Sequence, residues 1–308
     1  MRFSTSYLYQ RQINNVSQAM TNYDDIVTRL SAGQRLLKPS DDPSAASQAV
    51  LYQNALSRLD QFGTARKYAQ DALGQEDSTL TAISGLLSKN LAEKIVAAGN
   101  GAYSDKDRQS VADELKGIRD NLLNLANTKN SDGRYIFGGY KSGNAPFKAD
   151  GSYIGGPTAM TQKVDESTDM QVGTTGNDLF MSGSAHDIFK ALDAAINALK
   201  KPVVTDADRQ QLQNILDSTN KTIHKGIDNL GKIQATVGTN LHQLESLGTS
   251  AEEQNISLQS RLQQTLGSDW DSMIEILTES KMSEFALNSS MAVFQSMQQL
   301  SIFRIMGQ

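Results

Sequence analysis

The feature that most constrains this chain is a single face made by Leu212, Leu216, Ile223, Leu230, Ile233, Val237, Leu241 and Leu244. Apolar residues at those spacings share one side of an α-helix. The run from about Asp206 to Leu247 therefore predicts a rod of roughly 60 Å, far longer than an ordinary globular helix. Such a rod cannot bury its apolar face alone, so it needs partners of similar length.

The rest of the chain supplies them. Tyr9, Ile13, Val16, Met20, Tyr23, Val27 and Leu30 step alternately by four and three, a seam of coiled-coil type. Ala49, Tyr52, Leu56 and Leu59 begin a second helical run, which Leu80, Leu87, Leu91 and Ile95 continue as far as a stop at Gly99-Asn100-Gly101. Ser104 and Asp107 have the spacing of a capping box, opening a helix through Val111, Leu115, Ile118, Leu122 and Leu125. Helices return at Asp187–Lys200 and again after Pro202 and Thr205. The tail, Glu252–Gln308, carries Leu258, Leu262, Trp270, Leu277, Leu287, Met291 and Phe294.

Between Ser131 and Gly183 the texture changes. Short β-prone runs (RYIFGGY, GSYIGG, TQKVD, MQVGTTG) alternate with glycines, predicting a small β-rich insert with tight turns. The expected fold is mainly α: long antiparallel helical rods and a terminal coiled coil, with a small β-rich domain inserted at the tip. The expected segments are 1–40, pairing as a coiled coil with 255–308, the rod halves 41–130 and 184–254, and the outward insert 131–183. An insert of that kind should be removable without unfolding the helical body.

Chemistry has few places to start. The chain has no cysteine, which removes disulfides, thiolate metal sites and thiol nucleophiles. A net charge of −5 and the lack of basic clusters interleaved with aromatics disfavour nucleic acid. No apolar run reaches spanning length, so no membrane insertion is expected. The acidic pair in KPSDDP invites a metal or acid–base reading. Yet Asp42-Pro43 is also a ready helix start, with Asp as cap and Pro at the first helical position. The structural reading of Pro39, Ser40, Asp41, Asp42 and Pro43 is a corner that turns the chain. His224 and His242 stand five helical turns apart and so share a face, where two isolated histidines read as solvated, and GGYKSGNAP lacks phosphate-loop spacing. No cofactor, metal site or enzyme activity is expected.

Both ends of the chain are nearly free of charge. Arg11 is the only charged residue between Phe3 and Tyr23, and Arg304 the only one between Phe285 and Gln308. An exposed helix normally carries Glu and Lys on its outer face. Gln, Asn, Ser and Thr in their place suit burial on all sides, because a neutral polar group is satisfied by a hydrogen bond whereas an unpaired charge is not. Such ends predict a polymer. The interface residues expected are Tyr9, Ile13, Val16, Met20, Tyr23, Val27 and Leu30 on the first helix, with Leu287, Met291 and Phe294 on the last.

LSAGQRLLKPSDDPSAASQAV, with the opening MRFSTSYLYQ, the stretch NLLNLANTKNSDGRYIFGGYKSGNAPF and the closing MQQLSIFRIMGQ, resembles the flagellar hook-associated protein 3 family, relatives of flagellin. The resemblance implies a structural part outside the cell that joins the hook, through hook-associated protein 1, to the flagellin filament. It further implies a ring-like homo-oligomer, export by the flagellar type III apparatus without a Sec signal, and a cytoplasmic export chaperone on the C-terminal region. Two alternatives stand beside it: a flagellin-type filament subunit, and a type III-secreted coiled-coil effector.

Overall fold

The computed structural model describes residues 5–306, and side chains over 7–299. The expectations that fall on Met1–Ser4, on Arg304 and on the last two residues lie outside the described backbone or side chains. Eight α-helices and one hairpin are formed among the described residues: α1 Thr5–Ala32, α2 Pro43–Gly85, α3 Ala92–Ala98, α4 Asp105–Ala126, β1 Thr161–Asp165, β2 Thr168–Gln171, α5 Gly176–Phe180, α6 Ile188–Leu199, α7 Asp206–Leu266 and α8 Trp270–Met306. The chain divides into two compact units, one of residues 1–60 with 252–308 and the other of residues 61–251.

Capping chemistry sets most of the helix boundaries. Ser104 and Asp107 form the reciprocal box expected of them at the start of α4. Thr205 and Asp208 make the same exchange at α7, where the Asp208 N–H donates to Thr205 Oγ1 and the Thr205 N–H to Asp208 Oδ2. The rod continues beyond Leu247 to Leu266, because Gly248 and the Ser/Thr-rich stretch after it weaken the apolar pattern without breaking the backbone ladder. Between α2 and α3 lies a π-helical turn, Leu86–Leu91, with Leu86, Leu87 and Leu91 all buried. The wider turn shifts the helical phase locally, and all three leucines stay on the buried side.

The middle unit has one continuous core. Leu73, Leu80, Ile83 and Leu87 meet Leu115 and Leu122 of α4, Leu192 and Leu199 of α6, and Ile223, Leu230 and Val237 of α7. Arg119 of α4 is almost fully buried and pairs with Asp193 of α6, Nε to Oδ1 at 2.8 Å, while its guanidinium lies 5.8 Å from the Phe189 ring centre.

The 131–183 segment contains one antiparallel hairpin, β1 with β2, set among turns, an isolated bridge, a 3₁₀ stretch and the short helix α5. RYIFGGY, despite its β-prone residues, becomes a 3₁₀ segment at Ile136–Lys141. Gly139 breaks this segment with a kink: its φ of +56° is outside helical values, and a Cβ there would meet the Thr158 carbonyl at 2.5 Å. Tyr153 pins the turn by donating its hydroxyl to the Gly156 carbonyl at 2.7 Å. The segment also shares its core with the helices. Phe147 packs on Phe180 and Phe189 with ring centres 5.3 Å apart in each case, and Phe137, Val164 and Met170 join the same core as the helices. Removing the insert would therefore take these aromatic and aliphatic side chains out of that core.

Candidate assembly interface

The terminal unit rests on the pairing of α1 with α8. Tyr9 meets Phe294 with ring centres 5.5 Å apart, and Gln12 Nε2 donates to the Ser290 carbonyl at 3.2 Å. Residue numbers that rise on α1 fall on α8, so the two helices run antiparallel. The face turned toward α8 comprises Val16, Ala19, Tyr23, Ile26 and Leu30, all half-buried, and the α8 face comprises Ile276, Ser280, Leu287, Ser290 and Phe294.

Of the ten apolar residues expected at the interface, Tyr9, Val16, Tyr23, Val27, Leu30, Leu287 and Phe294 lie on or beside this internal seam. Met20 is 61% exposed and Met291 45%, and Tyr9 and Ile13 are also classed as exposed. The four-three spacing groups Met20 and Met291 with the seam residues. The observed phase instead brings Ala19 and Ser290 inward and rotates both methionines outward by about one helical position. Small residues such as Ala19 and Ser290 carry little hydropathy signal, and the sequence pattern passes over them.

The outward face has more apolar residues than the spacing argument named. Trp270, Ile274, Leu277, Met282 and Phe285 are exposed along α8, with Leu51 on α2 and Ile256 on α7. Fully buried apolar side chains are scarce here. Among the described residues of the terminal unit, only Ala49 and Ile276 qualify, and every other buried apolar side chain belongs to the middle unit. Apolar surface in that amount marks an interaction face.

The corner between α1 and α2 is built from its own acids. Pro39 sits second in a turn closed by the Asp41 N–H donating to the Lys38 carbonyl at 2.9 Å. Asp41 Oδ2 accepts from the Lys38 and Leu37 N–H groups, and the Lys38 bond above all holds its carboxyl below the usual carboxylate range. Asp42 Oδ1 accepts from the Ser44 and Ala45 N–H groups and caps α2, with Pro43 in the first turn and Ser40 exposed in the loop. Each carboxylate is thus engaged by its own backbone. Among the described residues, no cluster of His, Asp or Glu has the makings of a metal site, and no helix is long and apolar enough to cross a membrane. His186 Nε2 lies 2.6 Å from Lys225 Nζ, while His242 is exposed beside Glu245.

Comparison with known proteins agrees with this architecture. The bacterial flagellin N-terminal helical region matches residues 3–142. Flagellar hook-associated protein 3 of Escherichia coli K12 is 37% identical, over 99% of each chain. The protein of the same name from Salmonella typhimurium LT2 is 35% identical, again over 99% of each. Among solved structures, the flagellar junction protein of Legionella pneumophila superposes with a TM-score of 0.59 at 18% identity, covering 71% of this chain and 100% of that one, a likeness of fold.

Proposed function

This chain belongs to the flagellar hook-associated protein 3 family and is a structural protein of the flagellar hook–filament junction; we propose that it makes that joint as a ring of copies packed through the outward faces of its α1–α8 pair. The observation that carries this reading is the terminal unit's shortage of buried apolar side chains, Ala49 and Ile276 alone among the described residues, beside exposed ones from Trp270 to Val293. Neighbouring copies would cover these and satisfy the Gln, Asn and Ser side chains between. Between Phe3 and Tyr23 and between Phe285 and Gln308 only Arg11 and Arg304 are charged, which lowers the desolvation cost of such packing there.

In this account the hook side of the ring meets hook-associated protein 1 and the filament side meets flagellin. The chain travels unfolded through the flagellar type III apparatus and works outside the cell. A cytoplasmic export chaperone covers the C-terminal region before export, where Phe285, Met291 and Val293 would otherwise be bare. The role requires no catalytic group.

Deleting the gene tests the reading. Cells should still build hooks, lack filaments when viewed by electron microscopy, and release flagellin into the medium as monomers. Full-length filaments on the deletion cells would overturn the junction role and favour a filament subunit made redundantly.

A further inference from the structure

Glu76 is the one carboxylate found fully buried among the described residues, with 0% of its surface exposed. It sits on α2 between Leu73 and Leu80, both core residues. Neither carboxylate oxygen completes a hydrogen bond. Thr174, itself buried, turns its hydroxyl and amide toward the carboxyl without reaching ordinary hydrogen-bond geometry.

We propose that Glu76 is a pH-sensitive latch, which fastens the Val172–Thr175 segment to α2 while its carboxyl carries a proton and releases the segment when that proton is lost. A neutral acid both donates and accepts, so Thr174 suits it on either count. An ionised one in the same place is a buried charge with no cation to pair with.

The surroundings bear this out element by element. On α2 itself the only charge acting on Glu76 is Asp77, which has the same sign. On the segment that follows β2, Asp178 is taken up by the Thr175 hydroxyl at 2.7 Å and is exposed. On α7, Asn240 holds the end of β2 through the Gln171 carbonyl at 3.1 Å and Val237 is buried. The charged groups of that stretch of α7, Lys232, His242 and Glu245, all face solvent. Burial pushes the Glu76 carboxyl up, and Thr174 only partly opposes it. For a carboxyl raised on folding, the stabilisation is complete below the ordinary Glu value and is lost as pH climbs through the folded value. That is the reverse of the helix-capping aspartates.

Hydrogen exchange on the full chain tests the latch, read at the Val172 N–H, which donates to the Met160 carbonyl at 2.9 Å. After correction for intrinsic base catalysis, protection at Val172 should fall with rising pH in the unsubstituted chain. It should stay level in Glu76→Gln, which keeps the hydrogen-bonding shape without the charge. Each pH unit of separation between folded and ordinary values should appear as about a tenfold loss of protection. Parallel pH profiles in the two proteins would overturn the proposal. Should Glu76→Gln fail to fold, the unsubstituted chain decides alone. Val172 must then lose protection at lower pH than the α4 amides around Leu115 and Leu122, and simultaneous loss would refute the latch.

Discussion

Arg35 and Gly267 fasten two chain corners together in the terminal unit. The Arg35 N–H donates to the carbonyls of Leu266 and Gly267 at 3.0 and 3.2 Å, and the Leu36 N–H follows onto Leu266. Gly267 has φ of +63°, and a Cβ on it would stand 2.6 Å from that of Arg35. The exposed ion pair from Arg35 to Glu275, at 3.9 Å, adds little beside these backbone bonds.

Gly267→Val should therefore open this corner. The left-handed backbone alone costs roughly 1–2 kcal/mol for a residue with a Cβ, and the collision with Arg35 adds to it. Hydrogen exchange at Arg35 and Leu36 should rise in the variant. Gly248→Ala, in a helical site with open space around it, should instead stabilise the chain by about 0.5–1 kcal/mol. Equal effects at the two glycines would contradict the packed corner.

The aromatic cluster makes a second test. Phe180 is fully buried against Phe147 and Phe189, so Phe180→Ala should cost about 3–5 kcal/mol in urea unfolding of the middle unit. Replacing residues 140–181 by a short Gly/Ser link should lower helical content in circular dichroism, since Phe147, Val164, Met170, Leu179 and Phe180 would leave the shared core together. A variant as helical and as stable as the parent would show the insert to be independent after all.

Arg119 and Asp193 tie α4 to α6 at 2.8 Å. Asp193→Ala should destabilise because it strands the buried Arg119 charge, and Arg119→Ala because it removes the guanidinium packed by Phe189, while the aspartate it leaves is 38% exposed and reachable by water. About 3 kcal/mol is the scale for losing one member of such a pair. A double-mutant cycle by chemical denaturation should return a favourable coupling, and additive losses would mean the two act separately.

Acid should loosen the helix starts. Asp107, Asp208 and Asp269 are held below the usual carboxylate range chiefly by the hydroxyls of Ser104, Thr205 and Ser272. A depressed folded value means that the stabilisation exists above the unfolded value and disappears as pH falls through the folded one. Asp208→Asn should melt earlier than the parent at neutral pH, and the gap should close as the solution is acidified. A gap that widens in acid would reverse the assigned sign.

Much of this structure is legible in the sequence, for identifiable reasons. The α7 face reads clearly because large aliphatics repeat along it, and the capping box at Ser104 because two polar side chains stand at fixed spacing. The turn at Gly139 does not read, since tertiary approach of Thr158 overrides the β-prone RYIF run. Nor does the true phase of the α1–α8 seam, where Ala19, Ser280 and Ser290 face inward because close helix approach favours small side chains. The orphaned acid at Glu76 is invisible in sequence, where a Glu on a long helix reads as solvated.

The outward methionines give the most direct test of the assembly account. Met291 is exposed while Phe294, three residues on, packs on Tyr9 within the same chain. Filaments should be counted by electron microscopy on cells whose only copy carries Met291→Asp together with Met20→Asp, with the purified monomer's melting curve recorded beside them. The account predicts a monomer that melts as the parent does and cells that bear hooks without filaments, because two unpaired charges are buried only when copies meet. Normal filaments on those cells would contradict it.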